Sequence, residues 1–321
     1  MADQIAPQPF QYQGSKRGLA GRILSYFPSD LGTLYEPFAG SAAISLAAAA
    51  AGQAGKFAIN DLNAPLAHLL QRIVEAPAEL AERYERLWHE QGPNALTSVD
   101  HFNRVRSNFN TTHRPELLLY LLARCVKAAV RYNRDGMFNQ SPDKRRRGTR
   151  PETMRRNIYA TSALLRGKSR ISALDYRDAI ALAQPRDLIY MDPPYQGVSG
   201  ERDARYISGL VFDDFVAGLN ALNMRGLSYI VSFDGRLGER SYGKTLPASL
   251  ELRRLELHAG RSSTATLLGR SDVTVESLYL SSALVERLSR ARTGRGSTLP
   301  TSSDDLFAVA THDREAVAAV H

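Results

Sequence analysis

This sequence has almost no cysteine and no long apolar run, and its first residues do not resemble a leader peptide. The 321 residues include a single cysteine, Cys125, which excludes an intrachain disulfide and a cysteine metal cluster and favours a reducing, cytoplasmic environment. The alanine-rich run Ala42–Ala51 is too short to span a bilayer. The first ten residues lack the basic start and apolar core of a signal peptide. We therefore expect a soluble cytoplasmic protein with no metal.

Acidic residues are fewer than basic ones, and the formal net charge is +8. A basic surplus of this size indicates a polyanionic partner. A charge run is often only a solvated loop, but in a basic protein we favour nucleic acid as the partner. The surplus is concentrated in one short segment, which contains Lys144, Arg145, Arg146, Arg147, Arg150, Arg155 and Arg156.

A GxGxxG fingerprint is also missing, but a related pattern is present. The apolar run Thr33–Glu36 predicts a strand, and a small-residue turn with Gly40 and an alanine-rich helix follow it. This geometry lets backbone amides approach a ligand closely. The next predicted strand, Lys56–Asn60, ends at Asp61, about 20 residues past the glycine, where an acid can accept a ribose hydroxyl. The alternative is that Asp61 caps the helix from Ala64.

The apolar run Leu188–Met191 predicts a buried strand that stops at Asp192, Pro193, Pro194 and Tyr195. Two prolines have no amide hydrogens, so neither a sheet ladder nor a helix continues there. Pro193 favours an extended Asp192, whose carboxylate then lies beyond the strand end. In an open parallel sheet, ligands bind at the carboxyl ends of the strands. The alternative is a stiff turn with a surface aspartate and a packed tyrosine.

Residues 64–168 are predicted to form a mainly helical insertion between the second and third strands. Helical periodicity is typical of Ala64–Val74, Ala78–His89, Val99–Phe109 and Pro115–Tyr132. Asp135-Gly136 then predicts a tight hairpin. Strand patterns return at Arg170–Leu174, which ends at Asp175, and at Leu227–Asp234, Glu251–His258 and Val273–Leu280. Beyond Glu286, arginine, serine, threonine and glycine predominate, which predicts a disordered tail.

The expected organisation is therefore an α/β sheet domain that the helical region interrupts. Residues 1–63 and 169–285 are its two parts, 64–168 is the insertion, and 286–321 is the tail. The length is compatible with one large domain or a catalytic domain with an insertion.

Five short motifs, in the same order along the chain, resemble those of the Dam-type DNA adenine methyltransferase family. They are the opening motif Tyr12–Lys16, the methyl-donor loop Glu36–Gly40, the second-strand motif Ile59–Asn63, the DNA-contacting hairpin Tyr132–Asn139 and the catalytic motif Asp192–Tyr195. The matches extend over roughly residues 10–280. The chain departs from the family pattern at Ala42, where the family commonly has a second glycine.

The resemblance implies a Rossmann-like class I methyltransferase sheet with an inserted, mainly helical DNA-recognition domain. It also implies S-adenosylmethionine as the methyl donor. In that case Gly40 permits close approach of the donor, Asp61 holds its ribose hydroxyls, and Lys16 pairs with its carboxylate. The complete set of implied donor-binding residues is Tyr12, Lys16, Phe38, Gly40, Asp61, Asp175 and Asp192.

The implied reaction transfers a methyl group to the exocyclic N6 amine of an adenine that is flipped out of duplex DNA. The implied catalytic residues are Asp192, Pro193, Pro194 and Tyr195. Asp192 and the Pro193 carbonyl accept hydrogen bonds from the amine, and Tyr195 stacks on the flipped base. The implied DNA-contacting residues are Arg131, Asn133, Arg134, Asn139, Lys144, Arg145, Arg146 and Arg147.

Three alternatives stay open at the level of sequence. Cytosine-N4 methylation uses the same physics, but the family more often has serine in place of Asp192 for that substrate. A catalytically silent DNA-binding relative is disfavoured because the catalytic motif and Lys16 are intact. An RNA methyltransferase is compatible with the basic insertion. The resemblance implies a bacterial or phage-encoded protein that acts on DNA, and it leaves the recognition sequence and the oligomeric state open.

Overall fold

One mixed sheet, which has eight strands within the described residues, forms the centre of the protein. The structure, a computed structural model, describes residues 6–92, 95–194, 210–237, 240–242, 244–261 and 273–293. The strands are β1 (Thr33–Glu36), β2 (Lys56–Asn60), β3 (Ser169–Ser172), β4 (Leu188–Met191), β5 (Tyr229–Leu237), β6 (Arg240–Tyr242), β7 (Arg253–Arg261) and β8 (Val273–Leu280).

The helices surround this sheet. They are α1 (Ala20–Leu24), α2 (Ala43–Ala50), α3 (Ala64–Glu75), α4 (Pro77–Glu90), α5 (Ala95–Thr112), α6 (Pro115–Arg124), α7 (Pro151–Leu165), α8 (Tyr176–Ala179), α9 (Phe212–Met224) and α10 (Ser282–Thr293), with short 3-10 helices at Lys16–Leu19, Val126–Ala128 and Ala248–Leu250. Helices α4, α6 and α7 begin with proline, whose fixed φ suits the first helical position. Within the described ranges, no helix combines the length and apolarity needed to cross a membrane.

The sheet order is β3-β2-β1-β4-β5-β8-β7, and β6 pairs with β5 beside this path. Strands β3, β2, β1, β4 and β5 are parallel, and β8 runs antiparallel to both of its neighbours. Strand β4 lies between β1 and β5 and is buried throughout, which explains its continuous apolar sequence. This architecture confirms the predicted Rossmann-like α/β fold. The chain order reverses between β1 and β4, which is where ligands bind in such sheets.

Alternating side chains of β4 divide the apolar core between the two faces of the sheet. Leu188 and Tyr190 belong to a buried cluster that also contains Ile73 of α3 and Leu118 of α6. Ile189 and Met191 belong to the opposite cluster, in which α8 and α9 pack on the sheet. The predicted insertion therefore shares one continuous core with a face of the sheet. That residues 64–168 act as a separate recognition domain remains a prediction.

Helix α6 ends at Arg124, so the predicted helix Pro115–Tyr132 is wrong in its second half. Cys125 is extended, with φ −79° and ψ 159°, and Lys127 and Ala128 have positive φ. Cys125 forms a bridge with Pro142. Pairing with a segment that follows later in the chain therefore overrides the helical periodicity of residues 125–132.

Helix α7 was not predicted, and it includes the second half of the basic segment. Its apolar residues Met154, Ile158 and Leu165 are buried, and Arg155 lies 2.5 Å from Glu85 of α4. Strand β3 ends at Ser172, two residues earlier than predicted.

The predicted start of a disordered tail at residue 286 is also wrong, because α10 continues to Thr293. Leu284 is fully buried. The Arg287 guanidinium lies 2.8 Å from the Asp30 carboxylate and donates to the backbone carbonyls of Pro185, Arg186 and Asp187. Helix α10 is therefore fixed to the amino-terminal edge of the sheet. The predicted tail from residue 294 onward lies outside the described residues.

Candidate active site

Three loops with polar residues meet at the carboxyl ends of the central strands. Gly40 follows β1, Asp61 follows β2, and Asp192 follows β4 directly. Strands β2, β1 and β4 are parallel neighbours, so these three strand ends lie at one edge of the sheet. The structure thus brings together the loops that the sequence predicted to form one site.

The loop after β1 has a backbone that requires small residues. Gly40 has φ +51°, and a Cβ atom there would lie 2.8 Å from Cε1 of Tyr12. The Tyr12 ring therefore packs against the loop only because residue 40 lacks a side chain. Ala42, with φ 54° and ψ 38°, is also left-handed, which costs an alanine ~1 kcal/mol relative to glycine. This conformation explains why a second glycine is common here in the family that the sequence resembles.

Asp61 joins the ends of two strands instead of capping a helix. Its Oδ2 accepts a hydrogen bond of 2.8 Å from the Gly40 amide, and its Oδ1 accepts one of 2.9 Å from the Asn63 amide. The residue that precedes α3 is Asn63, so the alternative of a helix cap at Asp61 is wrong. Burial raises the pKa of the Asp61 carboxyl, and the two amide donors oppose that shift.

Glu36, the last residue of β1, has a buried carboxyl below the same loop. Its two oxygens accept hydrogen bonds from the amides of Ser45, at 2.9 Å, and Ile44, at 3.4 Å. These amides belong to the first turn of α2, where a negative group is favourable. Burial nevertheless raises the pKa of Glu36 to about 7, and the charge of Asp192 adds to this shift.

The stability of the protein should therefore depend on pH through Glu36. Between the ordinary pKa of 4.5 and the folded value of about 7, the folded protein binds more protons than the unfolded chain. The contribution of this group to the free energy of unfolding should fall as pH rises through that window, by up to about 3 kcal/mol. Denaturant unfolding of the wild type and of Glu36→Gln, at pH values below and above this range, measures how the difference between their free energies of unfolding changes with pH. A difference that is independent of pH would contradict this assignment.

Lys16 lies between two carboxylates in the centre of the site. Its ammonium nitrogen is 3.0 Å from Oδ1 of Asp192 and 3.1 Å from Oε2 of Glu276, and the lysine is 7% exposed. Ser232 of β5 donates a 3.3 Å hydrogen bond to the same oxygen of Glu276. The expected pairing of Lys16 with the carboxylate of a methyl donor stays a prediction. In this structure its partners are carboxylates of the protein.

Phe38, which is partly exposed, packs on an aromatic cluster of the buried core beside the site. Phe38, after β1, lies 5.2 Å from the Tyr176 ring, and the two ring planes are 30° apart. Phe215 stacks at 5.7 Å on Phe233 of β5. Asp175 immediately precedes Tyr176 and accepts a 2.9 Å hydrogen bond from the Arg177 amide at the start of α8. Asp175 thus begins a helix, whereas the sequence predicted it at the end of a strand.

The predicted hairpin is present beside the site. Tyr132 and Phe138 pair across it, and the Tyr132 hydroxyl donates to Oδ1 of Asn63 at 3.2 Å. Oδ1 of Asn133 accepts from the amides of Asp135 and Met137, so Asn133 builds the turn. Of the predicted DNA contacts in this hairpin, the exposed residues are Arg131, Asn133, Arg134 and Asn139.

Hydrogen bonds from α4 and α6 hold the basic loop, residues 143–149, against these helices. Arg124, which is 2% exposed, donates 2.8 Å to the Asp143 carbonyl and accepts 2.7 Å from the Asp143 amide through its own carbonyl. The Tyr84 hydroxyl donates 2.6 Å to the Thr149 carbonyl, and the Arg147 guanidinium lies 5.1 Å from the Trp88 ring centre. The side chains that this loop presents to solvent are Lys144, Arg145, Arg146 and Arg147.

The sequence analysis did not identify Glu276 as a site residue. It also named one catalytic residue that the structure does not describe. Tyr195 lies outside the described residues, whereas Pro193 is buried and Pro194 is partly buried. Glu276 is the one acidic residue in the otherwise uncharged strand Val273–Leu280. That isolated charge is the signal by which it could have been found, since a carboxylate in a central strand needs a partner.

Comparison with known proteins agrees with this geometry. The family model described as "D12 class N6 adenine-specific DNA methyltransferase" matches residues 12–240, most of the chain. The modification methylase StsI of Streptococcus sanguinis is 26% identical over 72% of this chain and 36% of its own length. The DNA N-6-adenine-methyltransferase of Escherichia phage P1 is 27% identical over 70% of this chain and 29% of its own length.

A DNA adenine methylase of Serratia marcescens is 26% identical over 59% of this chain and 67% of its own length. The chain thus spans about a third of the length of the first two relatives and about two thirds of the third. The matched region contains the Gly40 loop, Asp61 and Asp192, the same residues that the sheet brings together. The chain belongs to the D12 class N6 adenine-specific DNA methyltransferase family.

Proposed function

We propose that the chain is a site-specific DNA adenine methyltransferase, which transfers a methyl group from S-adenosylmethionine to N6 of an adenine flipped out of duplex DNA. The observation that carries the proposal is the position of the Asp192 carboxylate. It lies beyond β4 at the point where the strand order reverses, beside the Gly40 loop, and contacts a buried lysine. Bacterial and phage relatives support action on DNA in the cytoplasm of a bacterial cell.

The donor would bind across the ends of β1 and β2. The fit is supported by the Gly40 turn, by the carboxylate of Asp61 at the end of β2, and by the partly exposed ring of Phe38, which packs on the buried Tyr176. When bound, S-adenosylmethionine supplies an electrophilic methyl group on a sulfonium. The full proposed set of donor-binding residues is Tyr12, Lys16, Phe38, Gly40, Asp61, Asp175 and Asp192.

The residues after β4 would activate the adenine amine. Its nitrogen is a poor nucleophile because the lone pair is delocalised into the ring. Hydrogen bonds from the amine to the Asp192 carboxylate and the Pro193 carbonyl localise that lone pair. Asp192 would also stabilise the positive charge that develops on nitrogen until the amine loses a proton and becomes the neutral N6-methyl product, so positioning and electrostatics carry the reaction. The target base has to leave the duplex stack, and Tyr195 is proposed to stack on it.

The duplex would bind against the hairpin and the basic loop. The Tyr132 hydroxyl connects the hairpin to Asn63 beside the donor loops, so the exposed Arg131, Arg134 and Asn139 lie near the carboxyl edge of the sheet. The basic loop adds four exposed cations that suit phosphates. We assign the helical residues 64–168 to recognition of the DNA sequence.

Asp61→Ala should weaken donor binding by about 1–3 kcal/mol, because hydrogen bonds to a charged group are lost. Isothermal titration calorimetry of the folded variant measures this. Asp178→Ala, which removes an exposed carboxylate from α8, is the matched control and should bind the donor like the wild type. Unchanged affinity in a folded Asp61→Ala would refute the assignment.

Methylome sequencing of DNA from cells that express the chain tests the proposed function. The proposal expects N6-methyladenine in one short sequence context, and no such mark in cells that express Asp192→Ala. Methylation of cytosine at N4, or of RNA and no DNA, would support the corresponding alternative enzyme. The absence of any methylation by a protein that binds DNA would support a catalytically silent relative.

A further inference from the structure

We propose that Glu276 is a positioning residue of the active site, which holds Lys16 and leaves Asp192 able to accept the adenine amine. This inference rests on the proposed function. It concerns β8, which lies beyond residue 240, where the match to the family model ends.

The ammonium of Lys16 contacts carboxylates from two different parts of the sheet. Lys16 Nζ contacts Asp192 after β4 at 3.0 Å and Glu276 of β8 at 3.1 Å. Strand β5 lies between β4 and β8 in the sheet. Ser232 of β5 donates a hydrogen bond to Glu276 on the adjacent β8. The lysine is 7% exposed, whereas the two carboxylates are 20% and 21% exposed. The two carboxylates are therefore more accessible to solvent than the ammonium that they share.

The charges of this cluster explain why a second carboxylate is useful. A buried ammonium needs a negative partner. If Asp192 were that partner alone, the pair would be neutral, and Lys16 would compete with the adenine amine for the same oxygens. With Glu276 present, one positive and two negative charges leave a net charge of −1 beside the amine. That surplus stabilises the positive charge that the reaction creates on nitrogen.

The alternative is that Glu276 only stabilises β8 in the sheet. The two hypotheses predict different effects of a neutral side chain of the same shape on stability and on the rate of methyl transfer. Glutamine keeps the size of the residue and can accept the Ser232 hydrogen bond, so a purely structural Glu276 would show its loss in stability alone. A positioning residue would show its loss in the rate of methyl transfer at unchanged binding of DNA.

The test compares Glu276→Gln and Glu276→Asp with the wild type, with S-adenosylmethionine and duplex DNA as substrates. We expect Glu276→Gln to lower kcat, measured at saturating donor, about 10–100-fold while Kd for DNA stays within about twofold. Glu276→Asp, which keeps the charge, should restore part of kcat. Glu286→Gln removes a carboxylate that is 66% exposed in a surface ion pair of α10 and should leave kcat unchanged.

Two results would overturn the inference. One is a kcat for Glu276→Gln that equals the wild-type value. The other is a kcat that falls only in proportion to a lowered melting temperature, with no recovery in Glu276→Asp. The proposed function is judged separately by Asp192→Ala. If Asp192→Ala is inactive and Glu276→Gln is fully active, the function stands and Glu276 has no role in it. If the wild type transfers no methyl group to DNA, the proposed function itself fails.

Discussion

Replacing Asp192 with alanine should lower the rate of methyl transfer by at least about 10²–10³-fold, the scale of losing one preorganised electrostatic group in an active site. The variant loses the acceptor for the adenine amine and the charge opposite the developing cation. Its fold should survive, because Lys16 keeps Glu276 at 3.1 Å as a counter-ion. Single-turnover transfer of a radiolabelled methyl group, with donor and DNA both saturating, measures the rate directly.

Asp192→Asn separates charge from hydrogen bonding in the same experiment. Asparagine still offers one acceptor oxygen but no charge, so its rate should lie between those of the wild type and Asp192→Ala. The affinity for duplex DNA should stay within about twofold in both variants, as measured by fluorescence anisotropy. A fully active Asp192→Ala would remove the basis of the proposed mechanism.

Replacing Arg145, Arg146 and Arg147 with alanine should weaken binding to duplexes of every sequence. These residues are exposed on the basic loop, which Arg124 and Tyr84 attach to the helices. Each lost phosphate contact lowers the dependence of log K on log salt by about one unit, so the slope should fall by about three units. Binding isotherms at several salt concentrations give this slope.

A control for this triple variant lies at the opposite edge of the sheet. Lys56 and Lys168 are exposed and stand at the amino-terminal ends of β2 and β3. Their replacement by alanine removes positive charge from a surface far from the proposed DNA contact, so the salt slope should stay unchanged. If the triple variant instead methylated a different sequence at an unchanged slope, the arginines would read bases and not phosphates.

Four strands of the sheet could be predicted to the residue, because each is a short apolar run between residues that break a strand. The bounds of β1, β2, β4 and β8 agree with the prediction. The predictions for β5 and β7 begin two residues too early and end three residues too early, and β6 was not predicted. For β4 the reason is physical: burial on both faces gives a continuous apolar run, and Asp192-Pro193-Pro194 ends it. The loops that follow β1, β2 and β4 could then be placed together from the parallel sheet alone.

The wrong predictions fall where distant contacts decide the local structure. Residues 125–132 have helical periodicity, but Cys125 pairs with Pro142 and the chain turns extended. Helix α10 packs Leu284, Val285 and Leu288 on the core. Arg287 also fixes it through hydrogen bonds to the backbone carbonyls of Pro185, Arg186 and Asp187. Neither partner is visible in a local pattern, so propensity alone could not find them.

The active site shows the same division. Gly40, Asp61 and Asp192 follow predicted strands, and the structure places each of them in the loop after its strand. The ion pair between Lys16 and Glu276 joins the first and last parts of the described chain. It depends on β8 lying next to β5, which no motif of the opening loop specifies. Lys16 contacts Asp192 as well as Glu276, and its pairing with the carboxylate of a methyl donor stays a prediction.

The most direct test of the central claim is mass spectrometry of nucleosides from duplex DNA that has been incubated with the purified chain and S-adenosylmethionine. The account predicts N6-methyladenine with the wild type and, after the same short incubation, at least about 100-fold less with Asp192→Ala. N4-methylcytosine in place of N6-methyladenine, or equal N6-methyladenine from Asp192→Ala, would contradict it.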